Sequence, residues 1–279
     1  MSTSNQTYKH LAIPYFKEIF DAIDEVMIKL NVPYYLIGAN AVALELLKEG
    51  IKPNRGTKDI DFAIMIASIN EYETVVDELA NYGFNKVEAP WTLYNKKFNV
   101  VIDLLPFGEI EESFTINFDK RHTYLHMLGF KEILQNPEMV QIEEKSVQIP
   151  SLPGMVILKL IAWSDRPEER DSDLYDILRI IEYYFDLNFD EIVEHHNDTF
   201  PEDDDFDQLK IAARVLGRKA RQFLNVSKEI SDRILKTLND NVVDPKNSPI
   251  AKQWASKKEW ELEYAVQILE EFKLGLVES

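Results

Sequence analysis

The sequence contains no cysteine. Disulfide bridges, thiolate metal sites and thiol nucleophiles are therefore excluded. Cations are scarce: 31 lysines and arginines face 49 aspartates and glutamates, a formal net charge of −18. Such a chain does not coat a nucleic-acid backbone non-specifically, because that mode of binding needs excess positive charge to displace counterions. Any nucleic-acid partner must meet a local basic patch. Long apolar runs are missing as well. Residues 62–66 and 155–163 fall far short of the roughly 20 residues that span a bilayer. The opening MSTSNQTYKH lacks the charged-then-apolar order of a signal peptide. A soluble, cytoplasmic protein with no membrane partner is expected. What is present is globular composition, 45% hydrophobic, 11% aromatic and 29% charged over 279 residues, enough for one large domain or two modest ones.

Hydrophobic periodicity organises the chain. Phe16, Ile19, Phe20, Ile23, Met27 and Leu30 recur at helical spacing, predicting an amphipathic helix over 14–30. A short strand over 34–37 ends at Gly38, and the Ala/Leu/Glu-rich stretch 39–48 favours a helix stopped by Gly50 and Pro53. A second strand is expected over 59–66, a helix over 69–82 ending at Gly83, and a hairpin of 91–94 with 98–105 around Asn95-Lys96-Lys97. Residues 107–150 hold short strand-like pieces and one helical turn near 130–134. Beyond Leu152 the pattern reads as helix throughout: 152–164, 171–186, 206–224, 227–239 and 254–273. The break Ile149-Pro150-Ser151-Leu152-Pro153 places a boundary near 150. The expected fold class is α+β: a mixed-sheet core with flanking helices over 1–150, then a helical domain over 151–279.

The sharpest chemical feature is Arg55-Gly56-Thr57-Lys58-Asp59-Ile60-Asp61-Phe62. On a strand, residues i and i+2 share a face, so Asp59 and Asp61 project side by side. Adjacent carboxylates at the edge of a buried element repel unless a cation lies between them. Magnesium suits such a pair, since it prefers carboxylate oxygens and commonly bridges them to phosphates. Asp-x-Asp is common, however, and a solvated loop–strand junction explains it equally. Asp103 stands in another apolar strand, Val100-Val101-Ile102-Asp103-Leu104-Leu105, where a charge is costly without a partner. Three strand-borne carboxylates converging on a metal is the economical reading, with a surface aspartate at the strand end as its alternative. Upstream, Leu36-Ile37-Gly38-Ala39-Asn40-Ala41 forms a strand–glycine–helix turn whose exposed amides suit an anionic phosphate.

The order of these motifs resembles the nucleotidyltransferase superfamily that includes DNA polymerase β: strand, glycine turn into a helix, Asp-x-Asp on the next strand, and a third carboxylate on a later one. Within it the sequence is most similar to the AbiEii-type toxin nucleotidyltransferases of toxin–antitoxin and phage-defence systems. The likeness is carried by Gly38-Ala39, Arg55-x-Thr57-x-Asp59-Ile60-Asp61, Val101-Ile102-Asp103-Leu104-Leu105-Pro106-Phe107-Gly108, Leu128-Gly129-Phe130, the run from Ser151 to Trp163, and Asp171-Ser172-Asp173-Leu174-Tyr175-Asp176-Ile177. It spans roughly residues 33–185. Ala39 departs from the usual second glycine or serine and removes a hydroxyl from the turn.

The resemblance implies transfer of a nucleoside monophosphate from an NTP to an acceptor hydroxyl, with Mg2+ or Mn2+ held by Asp59, Asp61 and Asp103. It implies nucleotide contacts at Gly38, Ala39, Asn40, Arg55 and Thr57. Lys159, alone among apolar residues in 155–163, matches a family lysine that contacts the phosphates. Physically, an ammonium in that company must snorkel or find an anion. Asp173 and Asp176 share a helix face, and the family's Asp-x-x-Asp motif includes a residue supporting the site. An antitoxin is an implied partner. An RNA acceptor such as tRNA would use the one dense basic stretch, Lys210, Arg214, Arg218, Lys219 and Arg221, otherwise a solvated helix face. A small-molecule acceptor, as in antibiotic-modifying enzymes, and a non-catalytic nucleotide-binding protein of the same fold are the alternatives. His122 and His126 have metal-compatible i, i+4 spacing but lack a supporting motif, and Asp203-Asp204-Asp205 lacks the glycine and glutamate of a calcium loop.

Overall fold

The computed structural model describes residues 15–53, 59–118, 123–142, 144–201 and 206–278. The chain divides into two compact units, Met1–Ser151 and Leu152–Ser279.

In the first unit, α1 (Phe16–Leu30) presents an apolar face made by the periodic residues named above. Then follow β1 (Tyr34–Leu36), α2 (Gly38–Leu47), β2 (Asp59–Met65), α3 (Ile69–Ala80), β3 (Phe84–Lys86), β4 (Thr92–Asn95) and β5 (Val100–Phe107). Ser68 starts α3 by accepting from the Glu71 amide at 3.3 Å, while Glu71 accepts from the Ala67 amide at 2.7 Å. This reciprocal arrangement satisfies amides that a helix start otherwise leaves open. The five strands form one mixed sheet in the order β1-β2-β5-β4-β3. β2 and β5 run parallel; the other pairs are antiparallel. The hairpin of β4 and β5 closes on Asn95, whose Oδ1 accepts from the amides of Lys97 (3.0 Å) and Phe98 (3.3 Å), an Asx-type turn that sets the register.

Alternation along β2 and β5 separates two faces. Ile60, Phe62, Ile64, Ile102 and Leu104 are fully buried, and Phe62 lies against Phe20 of α1 with ring centroids 5.8 Å apart. The opposite face carries Asp59, Asp61 and Asp103, then turns apolar where Tyr35 meets Phe107 at 5.7 Å. The unit is completed by β6 (Thr115–Phe118), β7 (Thr123–His126), α4 (Phe130–Ile133), β8 (Glu138–Ile142) and β9 (Lys145–Ile149). These strands form two separate hairpins, β6–β7 and β8–β9.

The second unit is helical: α5 (Leu152–Asp165), α6 (Asp171–Leu187), α7 (Phe189–His195), α8 (Gln208–Val226), α9 (Lys228–Val242), α10 (Pro249–Lys258) and α11 (Leu262–Val277). The single helix expected over 254–273 is in fact two. Glu259 takes a left-handed conformation (φ 57°), and the Trp260 amide folds back onto the Ala255 carbonyl at 3.0 Å, ending α10. Helical periodicity continues through the break, so the pattern alone did not reveal it. The short α7 lies outside the helical spans expected above. At the crossing of α8 and α11, Gly217 and Gly275 face each other: a Cβ on Gly217 would lie 2.2 Å from the Phe272 carbonyl oxygen, and one on Gly275 would lie 2.0 Å from that of Arg214. Among the described residues no helix is long and apolar enough to cross a membrane.

Candidate metal centre

Asp59 and Asp61 share a face of β2 because they are two residues apart. The parallel ladder then sets Asp103 of β5 directly beside Asp61 as its register partner. One carboxylate oxygen from each of Asp59, Asp61 and Asp103 lies within 4.8 Å of the other two. Asp59 is exposed, while Asp61 and Asp103 are half-buried. Three like charges at this separation repel, and a divalent cation among them reverses the sign of the interaction. The donor set is oxygen alone, which fits a hard cation such as magnesium or manganese.

The neighbouring backbone is built around these acids. The Ile37 amide donates to the Asp61 carbonyl at 2.9 Å, joining the strand–helix turn to β2. Gly38 has φ +67°, and a Cβ there would lie 2.1 Å from Asp61 Oδ2. Glycine is needed for close approach as well as for the turn. Ala39 is half-exposed at the start of α2. Asn40 is buried, and its side-chain amide donates to the Asp59 carbonyl at 3.2 Å, so this side chain ties α2 to the strand bearing the acids. Arg55 and Thr57 lie outside the described residues, as does His122. His126 contacts Thr115 at 3.3 Å and belongs to no acidic or histidine cluster among the described residues.

Thr92 was not singled out by the sequence. Its hydroxyl donates to Asp103 Oδ1 at 2.6 Å, from the cross-strand partner position on β4. The signal was available: once Asn95 fixes the hairpin register, Thr92 falls opposite Asp103. Behind this pair, Tyr72 of α3 donates its phenol proton to the Pro90 carbonyl at 3.0 Å. Burial, with the charges of Glu73 and Asp103, raises the Tyr72 pKa far above the usual tyrosine range, so the phenol remains a donor.

Lys159, Asp173 and Asp176 form a cluster within the helical unit. Lys159 Nζ donates to Asp173 Oδ1 at 2.9 Å and to Asp176 Oδ2 at 2.8 Å, and all three residues are buried. Burial pushes the ammonium toward proton loss, but the two carboxylates outweigh it and hold the Lys159 pKa above the ordinary lysine value. Arg170 adds a contact to Asp173 at 3.6 Å. The anion that Lys159 needs is thus supplied from α6. The basic stretch is also internally paired. Arg214 and Arg218 both grip Glu278, Arg218 holds Asp198, and Lys219 meets Glu191; Arg221 donates to the Glu278 carbonyl and Lys210 lies over the Tyr264 ring.

A family model described as "Nucleotidyl transferase AbiEii toxin, Type IV TA system" matches residues 35–260. No curated protein matches the sequence. Among solved structures, an antigenic nucleotidyltransferase-like protein from Paracoccidioides brasiliensis is 15% identical, with 83% of this chain and 94% of that chain covered and a TM-score of 0.41. The lincosamide antibiotic adenylyltransferase LnuA in its lincomycin-bound form is 17% identical over 62% of this chain and 96% of that one, with a TM-score of 0.37. The Thermotoga maritima CCA-adding enzyme complexed with tRNA is 16% identical, covering 98% and 66% of the two chains at a TM-score of 0.32. With the family match running from β1 into α11's approach and including both aspartate-bearing strands, the chain belongs to the AbiEii nucleotidyltransferase family.

Proposed function

We propose that this protein transfers a nucleoside monophosphate from a nucleoside triphosphate to an acceptor hydroxyl, with magnesium or manganese as cofactor. The observation that carries the proposal is the gathering of Asp59, Asp61 and Asp103 from two parallel strands into one oxygen cluster. In the reaction the acceptor oxygen bonds to the α-phosphorus, the bond from that phosphorus to the bridging oxygen breaks, and pyrophosphate leaves. The bound cation would neutralise charge on the triphosphate and orient it. Asp59 and Asp61 would hold it, and Asp103 would complete the site and take the proton from the attacking hydroxyl. The turn at Gly38, Ala39 and Asn40 offers backbone amides to phosphate oxygens, with Arg55 and Thr57 as further nucleotide contacts. Lys159 enters the proposal as the lysine that contacts the nucleotide phosphates, with Asp173 and Asp176, which share its ammonium, as the residues that support it.

The family description supports a toxin role with an antitoxin as partner. For the acceptor, RNA such as tRNA is the first reading. A small hydroxyl compound is the second, favoured by one observation: the basic stretch on α8 is occupied by Glu278, Asp198 and Glu191. Incubation with each α-labelled NTP, divalent metal, and either cellular RNA or hydroxyl-bearing antibiotics separates the two. Label in RNA supports the first, and label on the small molecule supports the second. Calorimetric titration with each NTP, with and without magnesium, identifies a non-catalytic binding protein if nucleotide binds and no transfer occurs. Asp61→Ala is expected to abolish transfer with the fold retained, and full activity in that variant refutes the metal assignment. Induced expression arresting growth in wild type, with Asp61→Ala harmless, supports the toxin role.

A further inference from the structure

We propose that Thr92 is a positioning residue for the metal centre: its hydroxyl fixes the rotation of the Asp103 carboxylate, so that the third acid is already aimed when a divalent cation binds. The inference rests on the nucleotidyltransferase reading above and adds to it a residue that holds one of the acids in place.

The hydroxyl is carried by an unusually constrained piece of chain. The Thr92 amide donates to the Ala89 carbonyl at 3.1 Å, and the Thr92 carbonyl accepts from the Val87 amide at 3.3 Å. On its other side, the Trp91 carbonyl accepts from the Leu104 amide at 2.8 Å, and the Pro90 carbonyl accepts from Tyr72 at 3.0 Å. Threonine is β-branched, so few χ1 states remain once its backbone is set. The carboxylate it meets has a broad, roughly two-fold terminal torsion. It also sits in a group of acids whose oxygens come within 4.8 Å, where like charge favours turning away. A short O–H···O⁻ bond of 2.6 Å opposes that rotation. The hydroxyl is not needed to join the strands, because the antiparallel ladder already runs from Thr92–Asp103 to Asn95–Val100. Partners that orient a ligating carboxylate typically change metal affinity by about 10–100-fold.

The test is a Mn2+ titration of the full chain without nucleotide, followed by the electron paramagnetic resonance of free Mn2+, on wild type, Thr92→Ser, Thr92→Val, Asp103→Asn and the double variant Thr92→Val/Asp103→Asn. Thermal midpoints are recorded alongside. The expected result is binding by Thr92→Ser within about threefold of wild type, and weakening by about 10-fold or more in Thr92→Val at an unchanged midpoint. No further weakening is expected when Thr92→Val is added to Asp103→Asn. In the transfer assay, raised Mn2+ restores Thr92→Val and leaves Asp103→Asn impaired. Equal Mn2+ affinity in wild type and Thr92→Val overturns the inference, as does a Thr92→Val effect of the same size in the Asp103→Asn background. If Thr92→Val does not fold, Thr92→Ala decides on the same titration: weakened binding beside intact Thr92→Ser supports the proposal, and wild-type affinity overturns it. Wild type that binds no Mn2+ removes the metal centre itself and this inference with it, an outcome distinct from equal binding by wild type and variant.

Discussion

Gly38 lies directly against the carboxylate of Asp61, so close that a Cβ on the glycine would stand 2.1 Å from Oδ2. The two residues sit on different elements, the start of α2 and the strand β2, and the hydrogen bond that the Ile37 amide donates to the Asp61 carbonyl at 2.9 Å clamps those elements together. The glycine therefore does two jobs. It adopts the positive φ that the turn requires, and it leaves the space into which the Asp61 carboxylate is set.

Gly38→Ala is expected to damage the site more than the fold. A left-handed conformation costs a non-glycine residue roughly 1–2 kcal/mol, which lowers the thermal midpoint modestly. The added methyl must displace the Asp61 carboxylate, and misplacing a reacting group by about 1 Å can cost about 100-fold in rate. Transfer assayed with labelled NTP should fall by about that factor, with weakened Mn2+ binding.

Lys159→Met should unfold the helical unit more readily. It leaves the buried carboxylates of Asp173 and Asp176 without their ammonium, a loss of about 3–5 kcal/mol for a broken buried pair. Urea unfolding measures it. Replacing both aspartates by asparagine in the same variant should recover much of the loss. A lysine that served only to touch phosphates would lose activity and keep full stability.

Glu45 on α2 predicts a pH dependence of stability. Burial, reinforced by the charge of Glu138, outweighs Lys48 and pushes its pKa from the ordinary 4.5 up to about 7. The folded state therefore holds a proton that the unfolded chain releases. The resulting stabilisation is fully present below the unfolded value and is lost as pH rises toward the folded one. In Glu45→Gln this dependence disappears, so the unfolding free energy of the variant relative to wild type should rise by about 1–3 kcal/mol between acid and mildly alkaline pH. Denaturant titrations across that range measure it.

The α8–α11 crossing should not tolerate a methyl group. Alanine is the better helix former by about 1 kcal/mol, yet a Cβ at Gly217 or Gly275 would come within 2.2 Å or 2.0 Å of a carbonyl oxygen of the facing helix. Gly217→Ala and Gly275→Ala are each expected to destabilise by about 1–3 kcal/mol through overpacking, read as a lower urea midpoint.

Much of the fold was legible because its signals are local. β-Branched and aromatic composition in 59–66 and the apolar run within 98–105 marked β2 and β5, helical spacing in 14–30 marked α1, and Gly83 marked the end of a helix. The acids Asp59 and Asp61 could be placed on one face from the pleat alone. The break at Glu259 was not legible, since the apolar period runs on through 254–273 and only a left-handed backbone at one residue interrupts it. Lys159 was recognised as needing an anion. That its partners are Asp173 and Asp176 depended on how α5 and α6 pack, which no spacing within either segment states.

By itself the sequence determined most of the elements, the charge balance that bars non-specific polyanion binding, and the pairing of Asp59 with Asp61, because strand pleat and composition act over a few residues. Tertiary structure decided that β5 lies beside β2 in parallel, that Asp103 therefore stands next to Asp61 with Thr92 hydrogen-bonded to it, and that the basic face of α8 is taken up by acids of the same chain. Those are relations between segments distant in sequence, and they exist only once burial of the apolar faces has chosen which segments are neighbours.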